Sequence, residues 1–185
     1  MRQRAISYFA DMVACPLLAG TLTIFALKHI TRTAFVEWCF LVMIGTALWT
    51  LIEYIMHRVI YHRIPIFTRY HRVHHTDPHA YVGAPPMVGS SVVFLVSFVP
   101  LAALSPVLAS AVSVGMLTGY TIYMIVHHAC HFWVPTPGGY LYRVRLKHAV
   151  HHYRDDNGNF GVITSFWDRV FGTHIQRSTH HSPAT

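Results

Sequence analysis

Residues 80–126 read AYVGAPPMVGSSVVFLVSFVPLAALSPVLASAVSVGMLTGYTIYMIV, a stretch with no Asp, Glu, Lys, Arg or His. A bilayer core takes about 20 apolar helical residues, and this stretch holds more than two such lengths. Pro100 and the Leu104-Ser105-Pro106 segment interrupt it where a turn is needed. The reading is a helical hairpin, with one span over 87–102 and the next over 107–131. Working outward, apolar runs over 6–27 and 34–56 supply two more spans. Asp11 interrupts the first, and no small-residue cleavage pattern stands out before Lys28, so the N-terminal run is read as a membrane helix and not a removed signal.

Composition agrees with this reading. Only 11% of the residues are charged, against roughly a quarter in soluble domains, and the mean hydropathy is positive, at +0.37. The 185 residues are enough for one unit, so residues 1–185 are expected to form a single domain. Cys15, Cys39 and Cys130 lie in apolar runs without disulfide or zinc-knuckle spacing and are read as packing residues in a reducing compartment. The net charge of +7 is read as attraction to anionic headgroups, because the arginines sit beside spans and form no free basic tail. No nucleic-acid partner is expected.

Orientation follows from where the cations fall. With four spans and both termini on one side, twelve of the fourteen Lys and Arg residues share that side, and only Lys28 and Arg32 lie opposite. Basic residues are retained in the cytoplasm. Segments 57–86 and 132–176 are therefore expected to be cytoplasmic, and every dense histidine cluster lies in or beside them.

Sixteen histidines against seven carboxylates is the second anomaly. Four clusters stand out: His57-Arg-Val-Ile-Tyr-His62, His71-Arg-Val-His74-His75, His127-His-Ala-Cys-His131 and His148-Ala-Val-His151-His152. On an α-helix, residues three and four apart share a face, so HxxHH and HxxxH aim their imidazoles together. HxxxxH does not fit one α-helical stripe, so His57 is expected to end a helix and His62 to follow a change in chain direction. A single zinc takes about four ligands, so ten converging imidazoles imply two metals with about five nitrogens each. Ligand type leaves iron, zinc, copper and nickel open. A lone interfacial histidine is ordinarily just a polar residue, but this many at apolar boundaries would be costly without metal or hydrogen-bond partners.

A ligating imidazole passes its other N–H to an acceptor. Glu53, one turn before His57, and Asp168 or Asp155 are candidates for that role, and His79 and His128 are further candidates beside the clusters. Each has an ordinary alternative: Glu53 as a solvated helix-end carboxylate, Asp168 as a local cap, the two histidines as interfacial residues. His174 is open in the same way, and His29, His180 and His181 are assigned to exposed positions.

The stretches EYIMHRVIYH (53–62), HRVHHTDPHAYVGAPP (71–86), GYTIYMIVHHACH (119–131) and LKHAVHHYRDDNGNFGVITSFWDRVFGTH (146–174) resemble the fatty acid hydroxylase branch of the sterol desaturase and fatty acid hydroxylase superfamily. The resemblance implies an all-α integral membrane protein with four spans and a cytosolic helical cap. It implies a di-iron monooxygenase whose ligands are His57, His62, His71, His74, His75, His127, His131, His148, His151 and His152. Zinc can substitute for the two Fe ions in isolated protein. O₂ would be co-substrate, electrons would come from a separate donor protein, and the oxidised group would be an aliphatic carbon of a lipid, foremost a fatty acyl chain. One departure is Met124 after Tyr123, where fatty acid 2-hydroxylases often carry an acidic residue. The competing expectations are a carotenoid or sterol hydroxylase or a lipid desaturase of the same superfamily and, from another class, a membrane metal-binding or transport protein.

Overall fold

The computed structural model describes residues 5–81 and 85–176, and every regular element among them is helical. In chain order these are α1 (Ala5–His29), α2 (Arg32–Ile55), which runs on as a π-helical turn (Met56–Tyr61), α3 (Pro65–Thr76), α4 (Val88–Ala102), α5 (Pro106–Phe132), α6 (Tyr140–Tyr153) and the short α7 (Phe166–Val170). Local chemistry sets several of the boundaries. Thr31 and Ser105 sit in extended conformation and accept from the amides of Ala34 and Leu108, so each caps the helix it precedes. Pro65 and Pro106 occupy first-turn positions, where a missing amide proton costs nothing. The segment around Pro106 is the turn expected from the sequence.

Helix α5 is the centre of the bundle and packs against α1, α2 and α4. The contact is built from small residues. Gly45 of α2 and Gly115 of α5 face each other, and a Cβ on Gly115 would lie 2.2 Å from the Val42 carbonyl oxygen. Gly119 receives the Trp49 side chain in the same way. Between helices in lipid, where apolar burial supplies little drive, such close backbone approach and interhelical hydrogen bonds carry the association. Trp38 Nε1 donates to Ser110 Oγ at 3.1 Å, Thr46 Oγ1 to the Gly115 carbonyl at 3.2 Å, and Ser97 Oγ to Ser113 Oγ at 2.8 Å. Asp11 is buried in this bundle, and its Oδ1 accepts from both the amide and the hydroxyl of Ser90 in the first turn of α4. The three cysteines are unbonded, and Cys15 and Cys130 are buried.

The outward surface is apolar, with Val13, Leu17 and Ile24 of α1, Val36, Phe40 and Met43 of α2 and Val92, Val96 and Val99 of α4 all exposed. Among the described residues, three helical runs are long and apolar enough to cross a membrane: Ala5–His29, Arg32–Tyr61 and Pro106–Phe132. Helix α4 is apolar but has only 15 residues, a rise of about 22 Å against a hydrocarbon core of about 30 Å. The hairpin is thus one full-length helix and one short one.

The tight α2–α5 seam gives a direct test. Gly115→Ala is expected to destabilise by about 1–3 kcal/mol, the usual cost of overpacking, read as a lower thermal midpoint in detergent. Gly20→Ala, where nothing lies within 4 Å, is the control and leaves the midpoint unchanged or slightly higher.

Candidate metal centre

The π-helical turn decides the geometry of the first histidine box. A π-helix bonds residue i to i+5, so residues five apart stack on one side, and the rings of His57 and His62 lie 5.2 Å apart between centroids. The expected change of direction between them does not occur. The chain turns later, at the extended Ile64 before Pro65. The second box, on α3, the third, at the end of α5, and the fourth, on α6, keep the α-helical stripes expected of them.

All ten box histidines come together, in two sets of five. His57, His62, His71, His75 and His151 form one; His74, His127, His131, His148 and His152 form the other. Within each set one nitrogen per ring lies within 4.8 Å of all the others. The sets adjoin: His75 and His152 stack at 4.2 Å between centroids. HxxHH explains the division, since adjacent His74 and His75 point to different sets, as do His151 and His152.

The nitrogens meet with their lone pairs. Nδ1 of His57 lies 2.6 Å from the Phe160 carbonyl and Nδ1 of His151 lies 2.9 Å from the Gly158 carbonyl. A carbonyl only accepts, so both rings carry their proton on Nδ1 and turn a bare Nε2 inward. His71 Nε2 stands 3.1 Å from Nε2 of His57, His62 and His75, more neighbours than one N–H could serve. In the second set, His74, His131 and His148 make Nε2···Nε2 approaches of 2.9–3.3 Å. Metal–nitrogen bonds of about 2.1 Å at right angles put the donors about 3.0 Å apart. The donor set therefore fits two adjacent cations, with imidazole ligands that bring no charge of their own. Burial pushes the imidazolium form out of reach: foremost through desolvation and then through neighbouring histidines, His75 is lowered to about 4 and His74 to about 2. His151 is lowered to about 3 by burial first, although its bond to Gly158 works the other way.

The carboxylates lie one layer further out. Glu53 is buried, and its Oε1 accepts from the amides of Val162 and Ile163, not from an imidazole. Asp168, fully buried, accepts from the amides of Phe160 and Gly161 and from the Thr173 hydroxyl. Both acids grip the loop over 158–163, and that loop supplies the carbonyls that orient His57 and His151. Asn159 adds to the grip. It is buried in left-handed conformation with φ 54°, donating to the Ile175 carbonyl at 3.1 Å and accepting from the Ile175 amide at 3.0 Å. Residue type marks the two acids but not Gly158, Asn159 and Phe160, which act through backbone groups or a turn side chain. The run Asn157-Gly-Asn-Phe-Gly161 was their only trace.

The other candidates stand apart. His128, on another side of α5, stacks on Phe132 at 4.4 Å and borders Phe9 at 5.4 Å. His79 also borders Phe132, at 5.6 Å. Asp155 is exposed and accepts from Asn157. His29 binds the Phe25 carbonyl of its own helix. His180 and His181 lie outside the described residues. Two tyrosine rings flank the site: Tyr61, within the first box, stacks on His71 at 5.4 Å, and Tyr123, one turn before the third box, on His127 at 5.6 Å.

A family model described as fatty acid hydroxylase matches residues 42–173. Human fatty acid 2-hydroxylase is 32% identical over 151 residues, 76% of this chain and 41% of that protein. The dihydroceramide fatty acyl 2-hydroxylase of Arabidopsis thaliana is 29% identical over 92% of this chain and 74% of its own length. A solved structure of full-length scs7p, in which only the hydroxylase domain is visible, superposes with a TM-score of 0.78 at 28% identity, covering 92% of this chain and 67% of the other. The chain thus spans about two fifths of the human relative it matches.

Two measurements follow from this geometry. Asp168→Ala strips the acceptor from two amides and a hydroxyl and is expected to destabilise by at least about 2 kcal/mol, as a fall in thermal midpoint. In metal-free protein, histidines of the unfolded chain gain protons below about pH 6.5 while the buried ones refuse them. The unfolded state then binds more protons, so stability falls as the pH drops from about 6.5 towards 5. A midpoint that stays level over that range would contradict the assigned neutral rings.

Proposed function

The chain belongs to the fatty acid hydroxylase family, and from that premise we propose that it hydroxylates an aliphatic carbon of a lipid acyl chain, using O₂ at a di-iron centre. The observation that carries this reading is the pairing of two adjacent five-histidine sets with inward lone pairs. Residues 1–185 would act as one domain in the membrane, with α4 completing a four-span arrangement at a locally thin or tilted position. The basic residues near the histidine segments support a cytoplasmic placement of the site and of the cap formed by α3, α6 and α7. Of the cations counted on that side, Arg2, Arg4 and Arg177 lie outside the described residues.

The ten histidines would be the ligands, five to each iron. When bound, the two irons supply O₂ activation and the oxidising power to break a C–H bond, with electrons from a separate donor protein. The chain's own part is to position and to exclude. His148 and His151 are almost wholly buried, so the site withholds bulk water from the reaction. Glu53 and Asp168, through the loop they anchor, keep His57 and His151 in the tautomer that presents Nε2. No side chain is needed as a nucleophile or general base, because the bond-breaking is the cofactor's work. The acyl chain would reach the site from the bilayer between the apolar helices, carrying the target methylene towards the histidines.

The test is product mass under ¹⁸O₂ with reconstituted electron donor. Wild type is expected to add one labelled oxygen to the acyl chain. His74→Ala and His151→Ala, one from each set, are expected to lose this at least about a hundredfold while still inserting in the membrane and holding less metal than wild type. Loss of two hydrogens in place of added oxygen would make the protein a desaturase, and full hydroxylation in either variant would remove that histidine from the ligand set.

A further inference from the structure

Helix α6 has two working sides. One carries His148, His151 and His152 into the metal centre; on another, Arg143 and Lys147 line a cavity of about 500 Å³. Arg169 lines it from α7, His174 from the segment that follows, and Tyr140 and Ile163 complete its wall. This volume lies in the range of about 300–1,000 Å³ typical of small-ligand sites. No Asp or Glu is among the lining residues, and among the described residues none of the three cations forms an ion pair with a carboxylate.

That gathering is electrostatically incomplete. Asp168 and Glu53 are the carboxylates near Lys147. Both acids already accept from the amides of the loop over 160–163 and do not line the cavity. His174 contributes a buried Nδ1 with no hydrogen-bond partner. Arg143 spends one N–H on the Gly138 carbonyl and retains others. Arg143 and Arg169 are exposed and Lys147 is half-buried, and cations gathered around one concavity favour an anion shared between them. Guanidinium forks and an ammonium around one concavity suit an anion with several oxygens.

We propose that this cavity binds a phosphate group, borne by a membrane lipid headgroup or by a soluble phosphate. Its occupant ties α6 to α7, and those two elements already hold the metal-orienting loop: Asp168 grips it from α7, and Asn159 within it reaches the Lys147 carbonyl. Occupancy therefore braces the carbonyls that orient His57 and His151. The proposal stands on the cavity alone and does not depend on the lipid hydroxylase reading. An acidic protein surface is the less suitable occupant, because the cations line a recess and not a flat face.

The experiment uses metal-loaded full chain in maltoside micelles, with inorganic phosphate titrated at constant ionic strength against chloride, and a parallel titration with phosphatidic acid in mixed micelles. A saturable rise in thermal midpoint is expected with one or both. Response to inorganic phosphate identifies a soluble ligand as sufficient; response to phosphatidic acid alone identifies a headgroup. The double variant Arg143→Gln, Arg169→Gln is expected to weaken binding by about tenfold or more at unchanged metal content, and Lys147→Gln alone serves if the double variant does not fold. No saturable response to either probe, or one whose affinity survives the substitutions, overturns the proposal. So does a double variant that binds phosphate normally and loses only its coupling to an acidic electron donor.

Discussion

The Nδ1 protons of His57 and His151 rest on the carbonyls of Phe160 and Gly158, and much of the centre follows from that. With those protons fixed outward, two Nε2 lone pairs must face the interior, and His62 and His71 are drawn up against them at 3.1–3.2 Å. The carbonyls can do this only if their loop is rigid, and a loop has no ladder of its own to make it so. Glu53 and Asp168 provide the rigidity by accepting four of its amide protons. The carboxyl groups are thereby kept off the metal ligands and placed where they stiffen backbone, an arrangement in which neutral donors meet the cations directly and the acids contribute at one remove.

The membrane part serves the same end by different means. Helix α5 must carry His127 and His131 to the same point that α2 reaches with His57, so the two helices have to lie close along their length. Gly45, Gly115 and Gly119 allow that approach, and serine and threonine hydroxyls satisfy polar groups across the seam. Bulkier residues would push the helices apart and separate the two halves of the metal site.

Much of this was legible beforehand because it rests on periodicity. The apolar runs gave the helices to within a few residues, and the three- and four-residue spacings gave three of the four histidine stripes. The first box misled because an α-helical template cannot place residues five apart together; only a π-helical turn does. Glu53 and Asp168 were picked out as acids near imidazoles, but their real partners are amides, and backbone partners leave no mark in residue type. The run read over 87–102 is matched by α4 at Val88–Ala102.

The π-helical turn at Met56–Tyr61 has a consequence for how the two ends of this long helix can vary. Such a turn is equivalent to one surplus residue in a regular helix, and each residue advances the helical phase by about 100°. The lipid-facing stripe before it and the imidazole-facing stripe after it are consequently out of step. Deleting one residue between His57 and His62 would leave a four-residue spacing that an ordinary α-helical turn also places on one face, so the surplus residue serves the register between the bilayer stripe and the imidazole stripe, not the pairing of the two rings itself.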